Sequence, residues 1–323
     1  MKEKTLITGI SGFVGSHLTE YLVRRRMEVF GITPNANETD NLKQTISHIK
    51  LYEVNLLEAD RVKDAIRDVR PDFVFHLAAM SSPAESFKKP KETLENNFKA
   101  QLNLLEAFRE LGIHPRTIIT SSADEYGVVE KKFLPVKEDT PLNARSPYAA
   151  SKVIQDFVGE AYFYSFGIPV IRIRAFNHIG PRQSPSFAIP SWSRQIVGIE
   201  QKKMEPVIKV GNLTPERDFT DVRDMVEAYF LAVTKARPGQ VYNIGSGKAV
   251  SMQKVLDLLL SYSTVKDIKV EVDKNLLRPT DLPRLVADSK KFQRETSWKP
   301  KIPLTKTLHD TLSYWRKKER SSS

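Results

Sequence analysis

The chain has 323 residues, 40% apolar and 28% charged, with 50 Lys and Arg against 39 Asp and Glu for a net charge of +11. It has no cysteine, which excludes disulfides, thiolate catalysis and thiolate zinc sites, and its six histidines show no metal-ligand spacing, so no metal is expected. The basic residues are scattered. Their densest clusters, Arg24–Arg26 and Arg316–Lys318, read as solvated helix ends, so neither nucleic acid nor a membrane is expected as a partner, while a positive field suits a small anionic substrate.

The N-terminus enters an apolar strand with no signal-peptide pattern, and no apolar run approaches the ~18 residues of a membrane span, so a cytoplasmic enzyme is expected. Strands are predicted at Thr5–Thr8, Val29–Ile32, Ile49–Val54, Phe73–His76, Thr117–Thr120 and Val170–Arg174. Between them lie helical periodicities at Val14–Val23, Arg61–Val69, Thr93–Glu110 and Tyr148–Phe166. That alternation predicts an α/β fold with a Rossmann-type, doubly wound parallel sheet over residues 1–175, binding ligands at the carboxyl ends of its strands. After residue 175 prolines at 181, 185, 190, 206 and 215 break the chain into shorter pieces. Strands at Ile208–Val210, Val241–Ile244 and Ile268–Val272, and helices at Val222–Lys235, Ser251–Leu260 and Leu304–Arg316, predict a smaller mixed α/β substrate lobe over 176–320, some of it returning to the main sheet. Residues 321–323 read as a frayed tail.

Directly after the first strand, "LITGISGFVGSHL" places Gly9, Gly12 and Gly15 at a turn that opens a helix. Gly9 makes the turn, Gly12 lets the backbone approach a pyrophosphate, and Gly15 permits close helix–strand packing. Phe13 and Val14 then start a helix whose amides face the phosphates. The second strand ends in "VFGITPN". Thr33 stands where an acid would bind the adenosine ribose 2′-hydroxyl of NAD, and no acid follows until Glu38. Equally, no arginine at 33–35 is ready for a 2′-phosphate, although Arg24–Arg26 are near in sequence. NADP(H) is favoured, with NAD(H) the alternative. Asn55 and Leu56 after the third strand are expected to border the adenine, and Leu77, Ala78 and Ala79 after the fourth to run beside the cofactor.

In "SPYAASK", Tyr148 and Lys152 are four apart and share a helix face. Ser146 is a candidate N-cap and Pro147 suits the first turn. An ammonium group beside a phenol favours the phenolate, so Lys152 is expected to lower the pKa of Tyr148 and to bond ribose hydroxyls. Ser122, at a strand end, is placed to hydrogen-bond a reacting oxygen. A Tyr-x-x-x-Lys pair alone usually means packing; joined to the glycine turn and a strand-end serine it reads as a catalytic set.

With these motifs the chain resembles the extended short-chain dehydrogenase/reductase family of nucleotide-sugar enzymes, over nearly its full length. Gly9, Gly12, Gly15, Asn97 in "NNFKAQLNLLEA", Ser122, Tyr148 and Lys152 match that family's cofactor and catalytic pattern. "RAFNHIGPRQ", "VGNLTPERDFTDVRD", "YNIGSG" and the stretch from Leu277 to Leu304 look most like its GDP-mannose branch of 4,6-dehydratases and GDP-4-keto-6-deoxymannose reductases. The resemblance implies substrate contacts from Asn177, Arg182, Lys209, Arg217 and Arg278, with Ser184 and Phe187 as pocket residues, and a homodimer. Taken alone, Asn177 could be an ordinary loop Asx-turn, and Arg217 and Arg278 could be surface partners of Asp218 or Asp281.

The stretch "TSSADEYG" decides between reactions. A 4,6-dehydratase needs a further acid and base aimed at C5 and C6. The dehydratase pattern carries Thr-Asp-Glu or Thr-Ser-Glu where this chain has Ser122, Ala123 and Asp124. Ala123 transfers no proton, and Asp124 is one methylene short where reacting atoms must approach to about 3 Å. Asp124 and Glu125 therefore read as loop architecture and polar contacts to the sugar. The expected activity is NAD(P)H-dependent reduction of the C4 ketone of a GDP-4-keto-6-deoxyhexose to a GDP-6-deoxyhexose such as GDP-rhamnose. The alternatives are a GDP-mannose 4,6-dehydratase, with Asp124 as base, a nucleotide-sugar 4-epimerase, and a non-catalytic dinucleotide-binding protein.

Overall fold

A computed structural model describes residues 2–321. Strands whose Val, Ile, Leu and Phe side chains point to both faces need helices on both faces, and the chain supplies them in turn. The first half runs β1 (Lys4–Thr8), α1 (Phe13–Arg24), β2 (Glu28–Thr33), β3 (Ile49–Glu53), α2 (Ala59–Val69), β4 (Phe73–His76), α3 (Pro83–Lys88), α4 (Pro90–Leu111), β5 (Arg116–Ser122), α5 (Pro147–Phe166) and β6 (Val170–Ala175). The rest adds β7 (His178–Ile179), α6 (Ala188–Glu200), β8 (Val207–Val210), β9 (Glu216–Asp218), β10 (Thr220–Asp221), α7 (Val222–Lys235), β11 (Val241–Ile244), β12 (Ala249–Ser251), α8 (Met252–Ser261), β13 (Lys269–Val272), β14 (Arg284–Leu285), α9 (Lys290–Thr296) and α10 (Leu304–Ser321). The helix α10 thus includes Ser321, the first residue of the expected tail; Ser322 and Ser323 lie outside the described residues.

Seven parallel strands form the central sheet in the order β11-β6-β5-β4-β1-β2-β3. The direction of winding reverses between β1 and β4, which opens a crevice above their carboxyl ends. Neighbouring residues serve opposite faces. Ile7 and Phe75 pack toward α1, α7 and Trp298, while Leu6 and Val74 pack toward α2 and α4. From the second half of the chain, β11 pairs with β6, and α7 and α9 add Tyr229 and Phe292 to the first of these cores. A separate core gathers α6, α8 and α10 around Ile208 and Val210, with Trp192 and Trp315 buried in it.

One expectation fails here. The prolines after residue 175 do not reduce the chain to short pieces, because α6 runs for 13 residues through Pro190. Pro190 falls in the first turn, where a helix has no intrahelical acceptor for the missing N–H.

Candidate active site

A cleft of about 1300 Å³ follows the crevice from the glycine turn to the segment around Arg217 and Arg278. Drug-sized sites occupy about 300–1,000 Å³, so this one has room for two ligands end to end.

At the first end, Gly9 adopts φ of 72°, and a Cβ there would lie 3.0 Å from the backbone of Ala78. A Cβ on Gly15 would overlap the carbonyl of Gly9. Gly12 is the N-cap of α1, with no side-chain cap and no acid in the first turn. The first amides of α1 are therefore open to an anion. A dinucleotide diphosphate fits this turn. Phe13, Val14, Asn55, Leu56, Leu77, Ala78 and Ala79 line the same cleft, where a cofactor would extend.

Two residues expected to touch the cofactor do not face the cleft. Thr33 is buried, and its hydroxyl is shared with Ser11 (3.2 Å) and donated to the carbonyl of Asn35 (3.2 Å). Asn97 is also buried. Its amide accepts from Met80 N–H (2.7 Å) and donates to Met80 O (3.2 Å) and Ser151 Oγ (2.9 Å). It clasps the loop after β4 to α5, so its influence on a cofactor is through that loop.

Midway along the cleft, Ser146 caps α5 by accepting from Ala149 N–H (3.1 Å), and Pro147 occupies the first turn. One turn then separates Tyr148 from Lys152, and both face the cleft together with Ser122 at the end of β5. Lys152 Nζ donates to Thr120 O (2.8 Å) and stands 5.9 Å from the centre of the Tyr148 ring. The expected lowering of the Tyr148 pKa is not what this geometry produces. Burial pushes the phenol up, the Asp124 carboxylate pushes the same way, and the Ser122 hydroxyl opposes them more weakly. Lys152 is pulled down to about 8 by burial, against the charge of Glu125. The protein alone thus holds Tyr148 as a neutral proton donor beside an ammonium group within reach of titration.

The two neighbouring acids part company. They lie in a single 3₁₀ turn, Ala123–Tyr126, capped by Ser122, which accepts from Asp124 N–H (3.2 Å). Asp124 is partly buried and lines the cleft; burial raises its pKa, and the charges of Arg217 and Arg278 oppose this. Glu125 points the other way and is fully buried, so the expected contact with a sugar is corrected. Its carboxylate accepts from Ser121 Oγ and from Ser122 N–H (3.0 Å) and pairs with Arg174 (3.3 Å). Arg174 in turn pairs with buried Asp156 at 2.7 Å. Because the Ser121 hydroxyl also lies 3.1 Å from Lys152 O and shares its single proton between the two oxygens, Glu125 ties the end of β5 to the turn of α5 that carries Lys152. Ala123 packs with Tyr126, Val136 and Phe176 in an apolar cluster.

The far end collects Asn177, Ser184, Phe187, Lys209, Arg217 and Arg278 along the cleft. Asn177 is exposed, with its carbonyl taking Thr220 N–H (2.9 Å). Arg217 pairs with Asp281 (3.0 Å) and donates to Leu282 O (2.5 Å); Lys209 pairs with Glu271; Arg278 is exposed on the rim. Arg182 is the other correction. It lines the cleft but is drawn to the glycine-turn end, pairing with Glu20 of α1 at 2.7 Å. Sequence reasoning missed Tyr229, which is fully buried on α7 yet lines the cleft near Thr120, and His178, stacked on Phe13 at 6.0 Å. Neither carries a local signal: one reads as a core position, the other as a loop histidine. Among the described residues no cluster of metal-binding side chains occurs, and no helix is long and apolar enough to cross a membrane.

If Arg217 and Arg278 hold a nucleotide diphosphate, each change to alanine should weaken GDP binding by about 1.5–3 kcal/mol, the worth of a charge-assisted hydrogen bond. Calorimetric titration measures this. Unchanged affinity would return that arginine to a purely structural pairing.

A phenol, an ammonium group and a strand-end hydroxyl converge on one wall of a cleft whose near end is shaped for a diphosphate, and that construction defines a short-chain dehydrogenase/reductase. The model of the family "GDP-mannose 4,6 dehydratase" matches residues 6–311, and the chain belongs to this family of extended short-chain dehydrogenases/reductases. It is 32% identical over 320 residues to GDP-6-deoxy-D-mannose reductase of Pseudomonas aeruginosa, covering 99% of each chain. The structure of RMD from Pseudomonas aeruginosa complexed with NADPH is similar at a TM-score of 0.84, with 31% identity over 98% of this chain and 100% of that one. UDP-glucose 4-epimerase of Thermus thermophilus in complex with NAD is similar at 0.86, with 28% identity over 97% and 99%.

Proposed function

We propose that the protein reduces the C4 ketone of a GDP-4-keto-6-deoxyhexose with NAD(P)H, converting GDP-4-keto-6-deoxymannose to a GDP-6-deoxyhexose such as GDP-rhamnose. The observation that carries this reading is the turn after β5. Ala123 lines the cleft with a side chain that transfers no proton and Glu125 is turned into the core, so this turn offers the cleft Asp124 as its one carboxyl group and leaves Tyr148 as the neutral proton donor. A bound nicotinamide dinucleotide supplies the hydride. Ser122 donates a hydrogen bond to the ketone oxygen, and Tyr148 gives its proton to the alkoxide that forms at that oxygen. Lys152 holds ribose hydroxyls and offsets the phenolate left behind. The likeness to GDP-6-deoxy-D-mannose reductase supports the substrate, with Arg217 and Arg278 as its diphosphate contacts.

Residues 1–175 are read as the dinucleotide-binding unit and most of 176–320 as the substrate lobe. NADP(H) is favoured because Pro34, at the cleft edge after β2, brings no carboxylate to repel a 2′-phosphate. The proposal includes a cytoplasmic setting and a homodimer. An exposed apolar stripe on α5, with Ile154 38%, Phe157 54% and Tyr164 71% exposed at helical spacing, supports the dimer.

The second reading is a 4,6-dehydratase, favoured by Asp124, whose carboxyl lies in the cleft with a raised pKa. One experiment separates the two. A reductase leaves GDP-mannose untouched and oxidises one reduced cofactor per molecule of GDP-4-keto-6-deoxymannose. We expect this, and expect Asp124→Asn to retain ketone reduction at a lower rate. Conversion of GDP-mannose to a 4-keto product without net cofactor use, abolished in Asp124→Asn, would establish the dehydratase instead.

A further inference from the structure

The end of β2 poses a problem for a cofactor that carries a 2′-phosphate. Thr33, Pro34 and Asn35 include no cation. Nor do Arg24–Arg26 supply one: Arg25 is stacked on the rings of Tyr21 (4.5 Å) and Phe230 (4.6 Å), and none of the three lines the cleft. Lys43 is exposed, paired with Asp40 at 2.8 Å, and also does not line it.

A cation arrives from elsewhere. Arg182 follows β7, far along the chain, with a left-handed backbone (φ 73°). A non-glycine residue adopts that conformation at a cost, and keeps it where the surroundings over-determine it. Here they do. The guanidinium donates from Nη1 to Asn41 O (3.2 Å) and from Nη2 to His17 Nδ1 (3.3 Å), and pairs with Glu20 (2.7 Å). His17 can accept because burial, aided by the charge of Arg182, holds it neutral with a pKa of about 4, while its Nε2 bonds Pro181 O (2.9 Å). Asn41 then donates to Ser11 O (3.0 Å), and the Ser11 hydroxyl is shared with Thr33 (3.2 Å). Three short contacts thus connect Arg182 to the strand end where this fold recognises the adenosine ribose. Ser11, Pro34, Asn41 and Arg182 all line the cleft.

We infer that Arg182 is the residue that reads the cofactor's 2′-phosphate, taking the place of an arginine after β2. Glu20 and His17 hold the guanidinium still. Its Nε–H and one Nη1–H have no protein acceptor among the described residues, and so remain for phosphate oxygens. A guanidinium suits this task because its charge is permanent and its donors are directed. The Glu20 carboxylate partly offsets that charge, so it sets how strongly a phosphate is preferred.

This inference rests on the reading that a nicotinamide dinucleotide lies on the glycine turn, and its test uses cofactor binding alone, with no sugar present. NADPH and NADH are titrated against the wild type, Arg182→Met, Arg182→Lys and Glu20→Gln by calorimetry, with folding checked by thermal melting. The wild type should prefer NADPH. Arg182→Met should weaken NADPH by about 10- to 100-fold, the loss of a charge-assisted contact, and leave NADH within about threefold. Arg182→Lys should keep part of the preference, and Glu20→Gln should increase it. Parallel weakening of both dinucleotides in Arg182→Met and Glu20→Gln would make Arg182 a structural clamp only and overturn the inference. Equal binding of NADPH and NADH by the wild type would overturn it as well. No binding of either would remove the dinucleotide reading, and this inference with it.

Discussion

Tyr148→Phe should lower turnover of the 4-keto sugar by about 10²–10⁴-fold, the range a positioned general acid contributes. The ring is nearly buried at 9% exposure, so phenylalanine fills the same space and only the proton is lost. Cofactor affinity and melting temperature should therefore stay close to wild type, and stopped-flow reduction with separate cofactor titration would check both. The burial that raises the phenol's pKa predicts the direction of the chemistry. A neutral phenol is ready to protonate an alkoxide, whereas oxidation of an alcohol needs the phenolate. Turnover within a few-fold of wild type would remove Tyr148 from the proton-transfer role.

Lys152→Met should reduce turnover by about 10²-fold or more and weaken cofactor binding by about tenfold, because one ammonium group serves both the phenolate and the ribose. The pH profile provides a sharper signature. Burial places the Lys152 pKa at about 8, below its ordinary 10.5. Below that pH the group is an ammonium, and above it a neutral amine, so turnover should fall on an alkaline limb near pH 8 that is absent from Lys152→Met. The stability effect of the same group has the opposite sign. Between about pH 8 and 10.5 the unfolded chain binds the proton that the folded one has released, so this residue's contribution to stability rises with pH across that window. A wild-type profile flat through pH 9, or loss of turnover in Lys152→Met with unchanged cofactor affinity, would separate Lys152 from one of its two assigned tasks.

Much of the site was legible because its signals are local. Gly9, Gly12 and Gly15 report a turn whose geometry needs no distant partner, and a spacing of four in "SPYAASK" puts Tyr148 and Lys152 on one helix face wherever the helix lies. Alternating strands and helices announce the parallel sheet, since such strands must be covered on both faces. The reading weakened wherever a position depended on two segments at once. Asn97, which matches the family's pattern, and Thr33, which stands where an acid would bind the ribose, are each satisfied by their neighbours and do not line the cleft. Tyr229 looks like any core residue of an amphipathic helix until α7 is laid against β5.

The sequence by itself determined the fold class, the glycine turn and the Ser–Tyr–Lys set, because residue type and spacing within one element settle these, and its resemblance to the family set Ala123 against a dehydratase residue. Only the tertiary structure decided that Asp124 faces the cleft while Glu125 enters the core, that β11 completes the sheet, and that Arg182 crosses to the glycine turn. Adjacent residues of a tight turn project to opposite sides, and which side is solvent depends on what packs there. Glu125 goes inward because Ser121, Ser122 and Arg174 meet its buried carboxyl group there, whose pKa burial and the neighbouring Asp156 push up while Arg174 opposes them.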